Sequence, residues 1–187
     1  MWPEVGRQLV TISGLPGSGT STVSGLLQKR LGWTYVNAGG LFRQAAAEAG
    51  LSLEEFGRRA EADSAIDRAL DARMVELGRS LPRAILEARL SGWLAQRHDL
   101  AAAKVWLAAD LAVRAARVGN REDDTPAAAA QRIETRQRSE AQRYMEYYRI
   151  DLADLSIYDL VLDTAAAAAE EIADGIVEFL ASEKGAR

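Results

Sequence analysis

A glycine-rich stretch near the start of the chain has the residue types and spacing of a phosphate-binding loop. It reads GLPGSGTS, with Gly14, Gly17 and Gly19 followed by the hydroxyl residues Thr20 and Ser21. Backbone N–H groups in such a loop, and at the N-terminus of the helix after it, can bind phosphate oxygens. Glycine is needed where a Cβ would block the turn or the anion. The predicted loop contacts are Gly14, Pro16, Gly17, Ser18, Gly19, Thr20, Ser21 and Thr22.

The loop lacks the lysine of the usual pattern G-x-x-x-x-G-K-[ST], because Thr20 stands in its place. Because the glycine spacing without the lysine is weak evidence for a phosphate-binding loop, the prediction depends on the residues that flank the loop. An apolar run at 9–12 predicts a buried strand before the loop, and apolar residues at helical spacing in 23–27 predict a helix after it. An ordinary strand-to-helix turn is the alternative. Ser21 can still bind Mg²⁺, whereas the missing cation has to come from other residues.

Arginines dominate the basic residues and are unevenly placed. Lys29, Lys104 and Lys184 are the only lysines among 23 basic residues, and seven arginines fall between Arg114 and Arg143. The planar guanidinium suits bidentate phosphate contacts, so this cluster is a candidate phosphate site. A solvated helix face is the alternative interpretation.

Composition excludes several classes of protein. The 187 residues, 48% of them hydrophobic, suffice for one domain. Without cysteine and with one histidine, disulfides, zinc sites and Ser-His-Asp catalysis are not expected. The net charge of −4 argues against nucleic acid as a partner. No apolar run of membrane-spanning length or signal peptide is evident, so we expect a cytoplasmic protein with no membrane partner.

Alternating strands and helices predict an α/β fold with a five-stranded parallel sheet. The predicted strands lie at 9–12, 33–36, 82–86, 104–107 and 157–162. Beyond the helix after the loop, the predicted helices lie at 41–49, 53–62, from 63 or 64 onward, 110–116, 126–148 and 165–180, with a polar turn at 119–125. Three successive helices before the third strand predict a helical insert of about forty residues. In such a sheet the ligand site is expected at the carboxyl ends of the strands.

In order along the chain, the segments GLPGSGTST, NAGGLFR, LSLEEFGRRAEAD, AIDRALDAR, LEARLSGWLA and RSEAQRYMEYYRIDLADLSIYDLVLDT resemble the cytidylate kinases of the archaeal type. These enzymes belong to the nucleoside monophosphate kinase group of P-loop proteins. The likeness runs from about Gln8 to Thr164, and the lysine-free GSGT loop is a feature of that group. The family usually has glycine where this chain has Ala88.

The resemblance implies a three-layer P-loop kinase fold and a single domain. Its core would be 1–37, 81–117 and 150–187, with a nucleoside-monophosphate-binding helical insert at 38–80 and an arginine-rich lid with its return helix at 118–149. The implied reaction transfers a phosphoryl group from ATP to CMP or dCMP, with Mg²⁺ as cofactor near Ser21. We expect a monomer. Alternatives are another P-loop small-molecule kinase, or a nucleotide-binding protein without turnover.

The resemblance also implies roles for single residues. Arg43 would bind the phosphate of the acceptor nucleotide, and Arg89 would provide a second phosphate or base contact. The implied catalytic arginines are Arg43, Arg89, Arg117, Arg121 and Arg136. The implied substrate-binding residues are Gly39, Arg43, Asp63, Asp67, Arg73, Arg89, Gly92 and Trp93, of which Asp63, Asp67 and Arg73 would face the pyrimidine.

Overall fold

The computed structural model describes residues 8–182, except for the side chains of residues 53 and 54, and in this part of the chain five strands form one parallel sheet. The strands are β1 (Leu9–Gly14), β2 (Thr34–Asn37), β3 (Ala84–Glu87), β4 (Ala103–Ala108) and β5 (Leu160–Asp163). Their order across the sheet is β2-β3-β1-β4-β5, and every pairing is parallel. The predicted five-stranded parallel sheet is confirmed.

Eight helices lie in the described range. They are α1 (Thr20–Leu31), α2 (Ala38–Glu48), α3 (Leu53–Ala62), α4 (Ser64–Ser80), α5 (Ser91–Arg97), α6 (Leu111–Glu122), α7 (Pro126–Tyr148) and α8 (Ala169–Ser182). Side chains cap the start of four of them, α2, α3, α4 and α7. Asn37 accepts a hydrogen bond from the Gly40 amide, and Ser52 and Glu55 form a capping box. Within residues 8–182 no helix combines the length and the apolar character needed to span a bilayer.

Helices cover both faces of the sheet and bury two apolar clusters. On one face α1 and α8 pack over β1, where Val10, Leu27 and Ile176 are fully buried. On the other face α4 and α5 contribute Met74 and Leu94 to the second cluster. All six residues of β1 are buried, which places the carboxyl end of this strand, and the glycine loop after it, on a rigid support.

Several predicted boundaries are wrong, and hydrogen bonds explain them. The last helix begins at Ala169 instead of residue 165, because the Ala165 amide donates to Asp163 Oδ1 (2.8 Å) and the chain bends at residues 164–167. α6 continues to Glu122 through part of the predicted polar turn, and Asp123 ends it in the left-handed region. The short helix α5 was not predicted.

Two residues of α5 that the sequence assigned to substrate binding lie in the packing between the helix and the sheet. Gly92 is buried, and its amide donates to Ser13 Oγ at 3.2 Å. A Cβ at this position would lie 2.4 Å from Cε1 of Tyr158. Trp93 packs against the second apolar cluster, with the Arg97 guanidinium 5.8 Å from its ring centre. The close approach of Tyr158 gives a structural reason for glycine at position 92.

We predict that Gly92→Ala lowers the free energy of unfolding by about 1–3 kcal/mol, because the added methyl group overlaps the buried ring of Tyr158. Chemical denaturation measures the effect. Gly175→Ala in α8 is the matched control, since nothing lies within 4 Å of its added Cβ and alanine favours a helix. Unfolding free energies for Gly92→Ala at or above the wild-type value would contradict the packing role.

Candidate active site

A cleft of about 1520 Å³ opens over the glycine loop, between the helices after β2 and helix α7. Its position at the carboxyl ends of β1 and β3 agrees with the expectation for a parallel sheet. Predicted site residues that line it are Gly14, Pro16, Gly17, Ser18, Gly19, Thr20, Ser21, Thr22, Gly39, Arg43, Asp67, Arg89, Arg117, Arg121 and Arg136. Ala88 also lines the cleft. One contiguous space therefore brings together most of the predicted site.

Four predicted site residues do not line the cleft. Gly92 and Trp93 lie in the packing of α5 described above. Asp63 caps α4 by accepting a hydrogen bond from the Ala65 amide (2.9 Å) and is exposed. Arg73 is exposed on α4 and pairs with Glu76 at 2.6 Å. Asp63 and Arg73 make local helix contacts, and neither lines the cleft in this structure.

The backbone of the glycine loop requires its glycines. Gly17 and Gly19 have φ values of 85° and 90°, in the region that side chains rarely adopt. A Cβ on Gly17 would lie 2.8 Å from the Arg114 carbonyl oxygen, and one on Gly14 would lie 2.7 Å from the Leu107 carbonyl oxygen. The loop thus passes close to neighbouring backbone on both sides, and the first amides of α1 are left at its end for an anion.

Arginine side chains hold the loop by its carbonyl groups. Arg89 Nη1 donates to the Gly14 carbonyl, and Arg114 Nη1 donates to the Pro16 carbonyl at 3.2 Å. Arg114 is only 5% exposed, and its burial, together with the nearby charge of Arg89, lowers its pKa. Arg117 donates a hydrogen bond to the carbonyl of Thr164, the residue after β5, at 2.6 Å. These guanidinium groups bring positive charge to the loop that carries no lysine.

Glu87 at the end of β3 connects the start of α1 with β2, a role that no motif in the sequence predicts. Its Oε1 accepts hydrogen bonds from the hydroxyls of Thr20 (2.6 Å) and Ser21 (2.7 Å). Its Oε2 accepts from the Tyr35 hydroxyl and from Asn37 Nδ2. Burial, together with the hydrogen bond to Glu87 and the negative charge of that carboxylate, raises the pKa of Tyr35 to about 12. The signal in the sequence was an acidic residue directly after the apolar run AIL.

Glu140 on α7 was also missed, and it links two predicted catalytic arginines. Its carboxylate is 5% exposed and accepts from Arg89 Nε at 2.9 Å and from Arg136 Nε at 2.7 Å. Burial alone would raise the pKa of Glu140, but the charges and hydrogen bonds of these arginines lower it below its usual value. Glu140 therefore stays ionised and positions both guanidinium groups at the cleft.

A second group of charged side chains connects α4 with α7. Asp71 accepts a hydrogen bond from the Tyr148 hydroxyl at 2.6 Å. Asp67 Oδ2 lies 3.7 Å from Nε of Arg143, which is an ion pair without a hydrogen bond. Burial raises the pKa of Asp67, Arg143 lowers it, and the charge of Glu140 raises it further. Arg143 belongs to the arginine cluster that the sequence indicates as a candidate phosphate site. Its pairing with Asp67, and that of Tyr148 with Asp71, were not predicted, because these partners are about 75 residues away in the sequence.

We predict that Asp71 makes the protein less stable as pH rises from about 4 to 7. Burial is the main cause that raises its pKa from 3.8 to about 6, and the folded state therefore holds a proton that the unfolded chain has released. Asp71→Asn removes this titration, so its stability relative to the wild type should increase by up to about 3 kcal/mol over the same range. Urea unfolding at several pH values measures the difference; one that does not vary with pH would contradict the prediction.

Comparisons with known proteins identify the family. The model of the cytidylate kinase-like family matches residues 9–166. A protein named cytidylate kinase from Halobacterium salinarum is 45% identical over 170 residues, which is 91% of this chain and 88% of that protein. One of the same name from Pyrococcus abyssi is 44% identical over 160 residues, 86% of each chain.

Solved structures share the fold at much lower identity. A shikimate kinase from Bacteroides thetaiotaomicron superposes with a TM-score of 0.65 at 9% identity, covering 91% of this chain and 97% of that one. A gluconokinase from Sinorhizobium meliloti has a TM-score of 0.61 at 16% identity and 94% coverage of both chains. These matches confirm the P-loop kinase fold. Because the family model spans most of the sequence and the relatives are about 45% identical, the chain belongs to the cytidylate kinase-like family.

Proposed function

We propose that the protein transfers the γ-phosphoryl group of ATP to CMP or dCMP, giving ADP and CDP or dCDP. The observation that carries this proposal is the identity of about 45% with proteins named cytidylate kinase over most of both chains. The cleft supports it, because a glycine loop and several arginines share one space large enough for two nucleotides.

The chemistry requires charge neutralisation more than acid or base catalysis. Arg89 and Arg136, positioned by Glu140, face the charge that develops on the transferred group, and Arg117 supplies charge from the side of β5. Arg43 on the exposed face of α2 binds the phosphate of the acceptor nucleotide. The glycine loop and the first turn of α1 hold the phosphates of ATP through their amides.

The residues around Ser21 suit a magnesium ion. The Ser21 hydroxyl and the Glu87 carboxylate are 2.7 Å apart, and hard oxygen donors are the ligands that Mg²⁺ prefers. Mg²⁺ in kinases takes most of its ligands from phosphates and water, so few protein groups are needed. When bound, the ion neutralises charge on the phosphates. Ser21 and Glu87 would hold it, while Tyr35 and Asn37 fix the carboxylate.

The division of the chain into a core, an insert at 38–80 and a lid segment at 118–149 follows from the same proposal. The insert covers CMP and the lid segment covers ATP. Their closure excludes water, so that the γ-phosphoryl group reaches CMP rather than solvent. One chain provides all of these groups, and we propose a cytoplasmic monomer.

A nucleotide-binding protein without turnover is the second candidate. The observation that favours it is Ala88 in the lining of the cleft, at a position where the family usually has glycine. Calorimetry that detects binding of both ATP and CMP, together with no transfer in the assay below, would support this candidate over the kinase.

A coupled assay of ADP release tests the proposed reaction. The purified protein is given Mg²⁺ and ATP with CMP, dCMP, UMP, AMP or GMP, and we expect the largest kcat/KM with CMP or dCMP. Direct separation of CDP from CMP confirms that phosphate reached the nucleotide and not water. If no pyrimidine monophosphate accelerates ADP release, the protein is not a kinase of this class.

We predict that Glu87→Gln lowers kcat by about 10- to 100-fold and raises the Mg²⁺ concentration needed for half-maximal rate, because the amide is a poorer ligand than the carboxylate. Titration of the rate with Mg²⁺ measures both effects. Glu76→Gln is the control, since Glu76 is exposed and pairs only with Arg73 among the contacts described for it. An unchanged Mg²⁺ dependence in Glu87→Gln would contradict the role of Glu87.

A further inference from the structure

Thr164, the first residue after β5, connects three separate segments through one hydroxyl group. Its side chain is buried, and its Oγ1 lies 2.9 Å from the Ser18 carbonyl oxygen in the glycine loop and 3.1 Å from that of Ala108 at the end of β4. The hydroxyl donates its one proton to these carbonyls and accepts a hydrogen bond from Arg117 Nη1 at 2.9 Å. The end of β5 is thus bonded both to the loop and to an arginine of α6.

Arg117 grips Thr164 with two nitrogens and lies beside the loop. Nη1 donates to the hydroxyl, and Nη2 donates to the carbonyl of the same residue at 2.6 Å. A Cβ added to Gly19 would lie 4.0 Å from Arg117 Nη1. Gly19 directly precedes Thr20, which stands where the usual pattern has lysine. A positive charge is therefore held next to the position from which the lysine is missing.

The hydrogen bonds described for Arg117 leave its charge available to an anion. They go to neutral oxygens, and among the described residues Arg117 forms no ion pair. Two of the five N–H groups of a guanidinium are used in these bonds, which leaves three for a ligand. Five other arginines of the cleft pair with carboxylates, and they are Arg89, Arg121, Arg132, Arg136 and Arg143.

We propose that Thr164 is a positioning residue that fixes Arg117 as the cation which the glycine loop lacks, an inference that rests on the ATP-binding part of the proposed function. Arg117 comes from α6 and not from the loop, so it needs an anchor to stay beside the loop. Fixing the side chain before ATP arrives reduces the entropy lost on binding. Because the same hydroxyl contacts the Ser18 carbonyl, the loop and its cation share one anchor.

Thr164→Val tests the inference, because valine keeps the shape of threonine and removes the hydroxyl. Calorimetry measures the binding of the β,γ-imido analogue of ATP in the presence of Mg²⁺. We expect its Kd to rise about 10-fold, while the Kd for CMP changes less than about 2-fold. Thr164→Ser keeps the hydroxyl and should bind the analogue within about 2-fold of the wild type. Unfolding in urea checks that each variant is folded.

Thr11→Val is the matched control. Thr11 is fully buried in β1, its hydroxyl lies 3.5 Å from the Ala103 carbonyl oxygen, and it lies outside the lining described for the cleft. The same change there removes a buried hydroxyl without reaching Arg117, so the affinity for the ATP analogue should equal that of the wild type. If Thr164 only stabilised the fold, Thr164→Val would behave in the same way.

Arg117→Ala shows whether Thr164 acts through the arginine. Alone, it should weaken binding of the analogue at least about 10-fold, and adding Thr164→Val should weaken it by less than about 2-fold more. An Arg117→Ala variant that binds the analogue as tightly as the wild type overturns the inference, whether or not Thr164→Val folds. Wild-type affinity in Thr164→Val, or additive effects in the double variant, also overturns it.

The proposed function is judged separately, because these measurements concern ATP alone. A wild type that binds the analogue but phosphorylates no pyrimidine monophosphate overturns the proposed function and not the role of Thr164. A wild type that does not bind the analogue overturns both.

Discussion

The site depends on one carboxylate, that of Glu87, which accepts hydrogen bonds from two elements of the fold, α1 and β2. It accepts from Thr20 and Ser21 at the start of α1, from Tyr35 on β2 and from Asn37 at the end of that strand. The parallel pairing of β3 with both β1 and β2 brings these donors to the same edge of the sheet. The register of the strands therefore sets the position of the first helical turn, against which a phosphate would bind.

The buried arginines of the site make hydrogen bonds that offset the cost of burying their guanidinium groups. Arg89 donates both to the loop at Gly14 and to Glu140, and Arg114 donates to backbone carbonyls on two segments. A buried guanidinium is costly unless its N–H groups are satisfied. Each of these two arginines donates one hydrogen bond to a carbonyl oxygen of the loop, so contacts that help to satisfy the buried guanidinium groups also fix the loop.

Signals that are local in sequence predicted the fold well. Helix α3 has the predicted bounds because Ser52 and Glu55 form its capping box, and α7 begins at Pro126 as expected for proline in a first turn. The short helix α5 was missed because its seven residues carry too little periodicity. The glycine loop was found from spacing. The roles of Glu140 and Tyr148, and the pairing of Arg143 with Asp67, were not, since tertiary contacts between α7 and distant segments define them.

The absence of lysine from the cleft has a consequence for chemical control of the protein. In the described part of the chain, every basic side chain that lines the cleft is an arginine. A guanidinium keeps its proton far above neutral pH and is not a target of acetyl transfer or of amine-directed labelling reagents. The cleft therefore keeps its positive charge, and its attraction for anions, under alkaline conditions and after acylation of lysine residues. The same treatments would remove the charge of a loop whose cation is a lysine ammonium group.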